Sequence, residues 1–319
     1  MDHSGHGMTM DLPPFTLGRG LQWSADPFFL VACLLGLALY GWGVVRLRRR
    51  GDAWPVSRTV SYAVGVLTVG LMMCTRLNDY GMVMFSVHMV QHMVISMLSP
   101  ILILLGAPIT LALRALPVAG RGRRGPRELL LALLHSRYMR IITHPVFTIP
   151  LFIASLYALY FTPLFDFLMG SRTGHAAMMV HFLAVGVVFF WPIIGVDPGP
   201  HRPGYLMRML ELFAGMPFHA FFGIALMMAS TPMVDTFRNP PASLGIDALS
   251  DQNAAGGIAW AFSEIPSVLV LIALLFQWYG SEQRQARRKD RAADRDGDKE
   301  LEAYNAYLAS LNAQGRSEA

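Results

Sequence analysis

Apolar stretches of membrane-spanning length dominate this chain. Seven can be marked, roughly at 28–46, 58–76, 82–104, 145–162, 175–195, 207–230 and 257–279. A hydrocarbon core of ~30 Å takes ~20 consecutive apolar residues as a helix. The helix is forced there, because lipid offers no partner to an open backbone group. Residue usage fits the same class: of 319 residues 54% are hydrophobic and 15% charged, a balance foreign to soluble domains. The expected architecture is all-α, a polytopic bundle of seven transmembrane helices over residues 28–280. Residues 1–27 and 281–319 are expected to lie outside it as tails, and no repeat or second domain is visible.

The basic residues predict an orientation. With the N-terminus outside, regions 46–58, 114–140, 192–208 and 281–319 are cytoplasmic, and they hold 22 of the 26 Lys and Arg residues. Only Arg19, Arg76, Arg172 and Arg238 fall outside. Basic residues stay on the cytoplasmic side, so the expected topology is N-out and C-in. The net charge of +5 then reports topology and not nucleic-acid binding. No basic run precedes the first apolar segment, so the start of the chain does not read as a cleaved signal peptide. Cys33 and Cys74 sit at different depths on separate spans and do not suggest a disulfide. Cys33 reads as a small apolar filler. Cys74, beside Met72 and Met73, is a weak ligand candidate.

Outside the spans the sequence is sparser in signal. The outer tail carries His3, His6, Met8 and Met10, a composition suited to loose metal capture. Residues 109–116 read as a short interfacial helix, and 128–143, with Arg137 and Arg140, as a helix lying on anionic lipid. Leu301, Tyr304, Leu308 and Leu311 give the C-terminal tail a short amphipathic helix.

Chemistry concentrates in the third span, GMVMFSVHMVQHMVISM at 82–98. Met84, His88 and His92 recur at i, i+4 and would share one stripe of a helix, with Met89, Met93 and Met97 on a stripe beside it. Imidazole in hydrocarbon is costly, so an intramembrane His is a functional hypothesis by default. Thioether with imidazole is a ligand set suited to Cu(I). At ~1.5 Å per residue from the outer surface, His88 lies ~9 Å down and His92 ~15 Å down. His175 falls at the outer mouth, His181 ~9 Å below it, and Glu264, just before Pro266, ~10 Å down. His219 falls near the middle of its span. Four spans therefore bring ionisable groups to one outer layer, where each needs burial and a partner. His88 and His92 can be metal ligands, haem ligands or hydrogen-bonded core residues; haem axial ligands normally come from facing helices, so one helix suits an ion better. Glu264 can be a ligand or a carboxylate orienting an imidazole, the latter preferred because a carboxylate matches Cu(I) poorly. No phosphate-binding loop, nucleophile elbow or HExxH is present, which weakens hydrolytic or ATP-driven activity and leaves oxidoreductase chemistry open; the expected role is not enzymatic.

The run HMVQHMVISMLSPILILLGAPITLALRAL at 88–116 resembles the third span of the seven-helix cytochrome c oxidase assembly factors, the CtaG type of caa-type oxidases. The likeness continues in His144–Pro145 and in HAAMMVHFLAVGVVFFWPIIGVDP at 175–198, and covers most of residues 25–280. It implies a multi-pass protein of the bacterial plasma membrane that helps mature the terminal oxidase, with oxidase subunits and other copper chaperones as partners. His88, His92, His175 and His181 carry over onto the pattern.

The resulting expectation is an assembly factor that takes Cu(I) at the extracytoplasmic side and passes it on. His3, His6, Met8 and Met10 would gather the ion. Met84 and Met89 would relay it, and His88, His92 and His181 would hold it, with His175, His219 and Glu264 nearby. The rivals are a copper transporter, a haem-binding membrane oxidoreductase and a metal-free assembly scaffold. The inner halves of the spans read as apolar, which counts against the transporter.

Overall fold

The computed structural model describes residues 12–120, 123–200, 203–296 and 299–317. Every regular element among them is helical. The chain divides into two compact units, Met1–Leu271 and Ile272–Ala319. The first begins with a single turn, α1 (Leu17–Gly20), capped by the Thr16 hydroxyl.

Helix α2 (Pro27–Arg49) starts sharply because Pro27 presets the first turn and the Asp26 carboxylate accepts from the Phe28 and Phe29 amides. Arg46, Arg48 and Arg49 occupy its last turn, where they oppose the negative end of the dipole. Helix α3 (Val56–Met73) returns, and a short turn, α4 (Leu77–Gly81), leads to the third span. That span is not one uniform helix. Helix α5 (Phe85–Met93) passes through a π-helical stretch, Val94–Leu98, into α6 (Ser99–Leu105). It stops at Gly106–Ala107, where Ala107 adopts φ +52°, and Pro108 opens the interfacial helix α7 (Pro108–Ala115). A surface pair follows, α8 (Pro126–Leu134) and α9 (Arg137–Ile142). The expected single helix over 128–143 is thus two, because the Ser136 hydroxyl caps α9 by accepting from the Met139 amide.

Helix α10 (Pro145–Tyr160) corresponds to the fourth expected span but has only 16 residues. The short α11 (Leu164–Met169) follows Pro163. Helices α12 (Arg172–Ile194) and α13 (Tyr205–Met228) are full length. Among the described residues six helices are long and apolar enough to cross a membrane, the segment from Phe85 counted once. Helix α14 (Ala248–Asp296) begins nine residues before the expected boundary at 257, and α15 (Lys299–Ser317) contains the expected amphipathic stretch. From Ile272 onward these residues belong to the second unit, with Tyr304, Tyr307, Leu308 and Leu311 exposed.

Burial ranks the spans. In the third and fifth, 61% of the apolar window is buried, against 22% in α2 and 28% in α3, so the third and fifth form the centre. They meet closely. A Cβ on Gly186 of α12 would strike the Ser96 carbonyl in the π-helical stretch, so only glycine lets the two backbones approach.

Residues 21–26, 74–84, 161–171 and 229–247 gather at one end, here called upper; 50–55, 106–120 and 195–200 gather at the other, called lower. Aspartates fasten both rims. At the upper end Asp251 accepts from the Phe85 and Ser86 amides at 2.6 and 3.3 Å, and Asp166 from the amide and hydroxyl of Thr236 at 2.8 and 2.6 Å. At the lower end Asp197 accepts from Ile109 and Thr110 amides and the Thr110 hydroxyl at 3.1, 2.7 and 2.6 Å. Each ties a helix start or loop to a distant part of the chain, filling amides that would otherwise lack a partner.

Candidate metal-handling site

Asp251 sets where α5 begins, and α5 in turn carries His88 and His92 one turn apart on the face toward α10, α12 and α13. Met84 does not extend that stripe. Its backbone is extended (φ −123°, ψ 121°), so it precedes the helix and contributes its carbonyl to the His88 amide. Met89 is fully buried, but on a different face of the turn from His88.

The imidazoles meet in pairs. His88 and His175 are 0% and 2% exposed, with ring centroids 5.5 Å apart. His92 and His219 are 2% and 3% exposed, with centroids 6.3 Å apart. Tyr160 at the end of α10 stands between the pairs: its hydroxyl is 3.1 Å from His88 Nε2, and its ring centroid is 5.7 Å from that of His92. Aromatic rings wall the column, Phe165 and Phe237 against His88, Phe182 edge-on to His92 at 3.9 Å, and Phe152 against His219. Four ring nitrogens are buried without a hydrogen-bond partner: His88 Nδ1, both nitrogens of His92, and His175 Nε2. The nearby Ser96 hydroxyl is in the same state. Orphaned buried polar atoms are rare and call for an explanation, such as an ion or water seated among them.

There is room for one. A cavity of about 200 Å³, edged by His92, Ser96, Ser155 and His219 and closed by Phe152 and Phe182, has space at its centre for about one water or one bare ion. The pair spacings suit two-coordinate binding: an ion about 2 Å from each of two imidazole nitrogens holds the ring centroids about 6 Å apart. Among the described residues, however, no group of three or more His, Cys, Asp or Glu side chains is arranged to hold a metal ion. A single pocket of converging imidazoles, as expected from sequence, is replaced by two pairs along an axis.

The remaining expected residues lie elsewhere. His181 is on an exposed face of α12 and shares a 2.7 Å hydrogen bond with the Ser155 hydroxyl at the cavity edge. Glu264 is exposed on α14 and accepts from Trp260 Nε1 at 3.1 Å. It therefore orients an indole and no imidazole. Its azimuth turns it away from the column. Cys33 donates to the Val66 carbonyl, and Cys74 is buried where residues 24–26 cross the top of α3. His3, His6, Met8 and Met10 fall outside the described residues.

Three contributors were not marked from the sequence. Tyr160 gives no signal at the edge of an apolar run. Ser96 is a common core residue. Glu211 is different: an acid within an apolar helix, 2% exposed, with neither carboxyl oxygen hydrogen-bonded. It overturns the reading of the inner half-spans as uniformly apolar. The rule applied to the histidines would have found it.

Taken together, the fold and the column define an integral membrane protein whose buried helical core gathers imidazoles. Residues 38–281 match the sequence profile of the cytochrome c oxidase caa3 assembly factors, and the chain belongs to that family. Over 314 residues it is 46% identical to the uncharacterized proteins Mb0105 of Mycobacterium bovis and MT0111 of Mycobacterium tuberculosis. To ML1998 of Mycobacterium leprae it is 45% identical over 316 residues. Each match covers 97% of this chain, which spans about half the length of those relatives, 47–48%. No solved structure matches.

Proposed function

We propose that this protein is a copper-handling assembly factor in the bacterial plasma membrane, with its upper end extracytoplasmic and its lower end in the cytoplasm. Cu(I) is cargo: it is taken up at the upper end, held between imidazole pairs, and released to a nascent oxidase subunit. The observation that carries this reading is the set of orphaned imidazole nitrogens on α5 and α12, at spacings that fit a two-coordinate soft ion. A two-ligand seat exchanges more readily than a closed four-ligand one, which suits delivery. Membership of the oxidase assembly family supports the recipient. The distribution of Lys and Arg supports the orientation.

Passage of the ion across the whole membrane is the weaker reading. Below His219 the axis is filled by aromatic rings. Phe152 and Phe189 stack at 4.1 Å, and Phe189 closes on Gly215, where an added Cβ would lie 2.9 Å from its ring. Handling from one side needs no path through this plug.

The test is the double variant His88→Ala, His92→Ala, assayed separately for copper stoichiometry and for oxidase assembly. The copper reading expects both to fall together. Loss of copper with normal assembly leaves a metal-free scaffold. A Soret band in the purified protein points instead to a haem-binding role.

A further inference from the structure

Beneath the aromatic plug one acid stands apart. Only two carboxyl side chains are buried among the described residues, Asp197 and Glu211. Asp197 is engaged at the rim by three hydrogen bonds. Glu211 has none, at 2% exposure. An ionised carboxylate so placed carries an uncompensated desolvation penalty, so it must hold a proton or face a cation.

Its position along α13 relates it to the column. His219, Gly215 and Glu211 follow at i, i+4, i+8 on one stripe, which puts the carboxyl about two turns, roughly 12 Å, below the imidazole. The register with α12 is set by two approaches: Phe189 against Gly215, and Gly195 against the Arg208 guanidinium. Glu211 therefore sits level with Trp191, whose Nε1 is also buried without a partner. Trp191 in turn lines a cleft of about 280 Å³ that includes Thr143, Gly195, Asp197 and Arg208 at the lower end. The carboxyl thus lies between a sealed aromatic layer above and a polar opening below.

Few other charges address it. Arg208 is three residues earlier on the same helix. Facing it, α12 has no acid or base between His181 and Asp197, and α10 none between His144 and Tyr157. Glu264 of α14 is exposed.

A monovalent ion seated between neutral imidazoles brings one positive charge into a medium that penalises it. We propose that Glu211 is the counter-charge for the loaded column: seating the ion between His92 and His219 expels the Glu211 proton into the lower cleft, leaving a carboxylate that balances the ion from below the plug. The exchange balances as one cation in and one proton out, with no electron transferred. This rests on the copper reading above and goes beyond it, because it makes loading sensitive to proton concentration on the opposite side of the membrane from the ion. The two charges act across roughly 12 Å of weakly screening protein, a coupling worth about tenfold in affinity.

Silver(I), a redox-inert ion of the same charge, tests this on the full chain in nanodiscs at about pH 6, where an isolated buried carboxyl keeps its proton and buried imidazoles stay neutral. Wild type should release about one proton per ion bound, read with a pH indicator in weak buffer. Glu211→Gln should still bind but release none, with affinity lowered about tenfold. Glu264→Gln should match wild type. Equal proton release by Glu211→Gln overturns the inference while leaving the copper reading intact. Failure of wild type to bind silver defeats the copper reading, and this inference with it. If Glu211→Gln does not fold, infrared difference spectra of wild type decide: a protonated-carboxyl band lost on loading supports the proposal, and its persistence overturns it.

Discussion

The carboxylates of the rim and the polar side chains along the axis of the helical core are treated in opposite ways. On the rim, Asp251, Asp166 and Asp197 each accept two or three hydrogen bonds from amides and hydroxyls of distant segments. Along the axis, His88, His92, His175, Ser96 and Glu211 are buried and keep orphaned atoms. Paired polar groups of this kind stabilise a fold; unpaired ones subtract from its stability. A chain that retains five along one line holds them for something other than the fold. The rim therefore builds the protein and the axis is kept ready for a guest.

Substitutions on the two sides should separate accordingly. The largest effect is expected on the axis. His92→Leu conserves bulk and deletes two orphaned nitrogens, so silver(I) affinity should fall at least about 100-fold while the melting temperature holds or rises. A variant that unfolds instead would mean that His92 belongs with the rim residues. Next comes the rim itself. Asp251→Ala strips the start of α5 of two hydrogen bonds and should lower stability by about 2 kcal/mol, seen as an earlier thermal melt. Ion binding should weaken only secondarily, as the first turn of α5 frays above His88.

The smallest effect is a slope. Burial raises the Asp197 carboxyl above its ordinary 3.8, although the Thr110 hydroxyl, the Thr110 amide and the Ile109 amide pull it down. The folded state then binds this proton more tightly than the unfolded one. Its contribution to stability is largest below the unfolded value and declines as pH rises through the folded one. Asp197→Asn should flatten that decline as pH rises above the ordinary 3.8, measured as the difference between two series of thermal melts. An unchanged slope would show that the rim carboxylate titrates as if exposed.

Much of this molecule was legible before any coordinate. The apolar runs at 28–46, 175–195 and 207–230 became α2, α12 and α13 with boundaries shifted by a few residues. Pro100 and Gly106-Ala-Pro108 announced the end of the third span. The π-helical stretch did not announce itself, since no residue type demands it; it lies where Gly186 lets α12 press against Ser96. The histidine pairs were half legible. That His88 and His92 share a face follows from their spacing, but that His175 meets the first and His219 the second depends on how α12 and α13 rotate against α5.

The sequence alone determined which segments are long and apolar enough to enter a membrane and where along its helix each ionisable group lies. Those properties follow from hydropathy and from a fixed rise per residue, both local. Tertiary structure decided azimuth: which face of each helix turns inward, so that His88 and Glu211 are buried while His181 and Glu264 look out. Lipid tails and apolar side chains are alike in hydropathy, so hydropathy does not say which face of a helix meets lipid and which meets protein. Close packing of small residues and shape does, and those are properties of pairs of helices rather than of one.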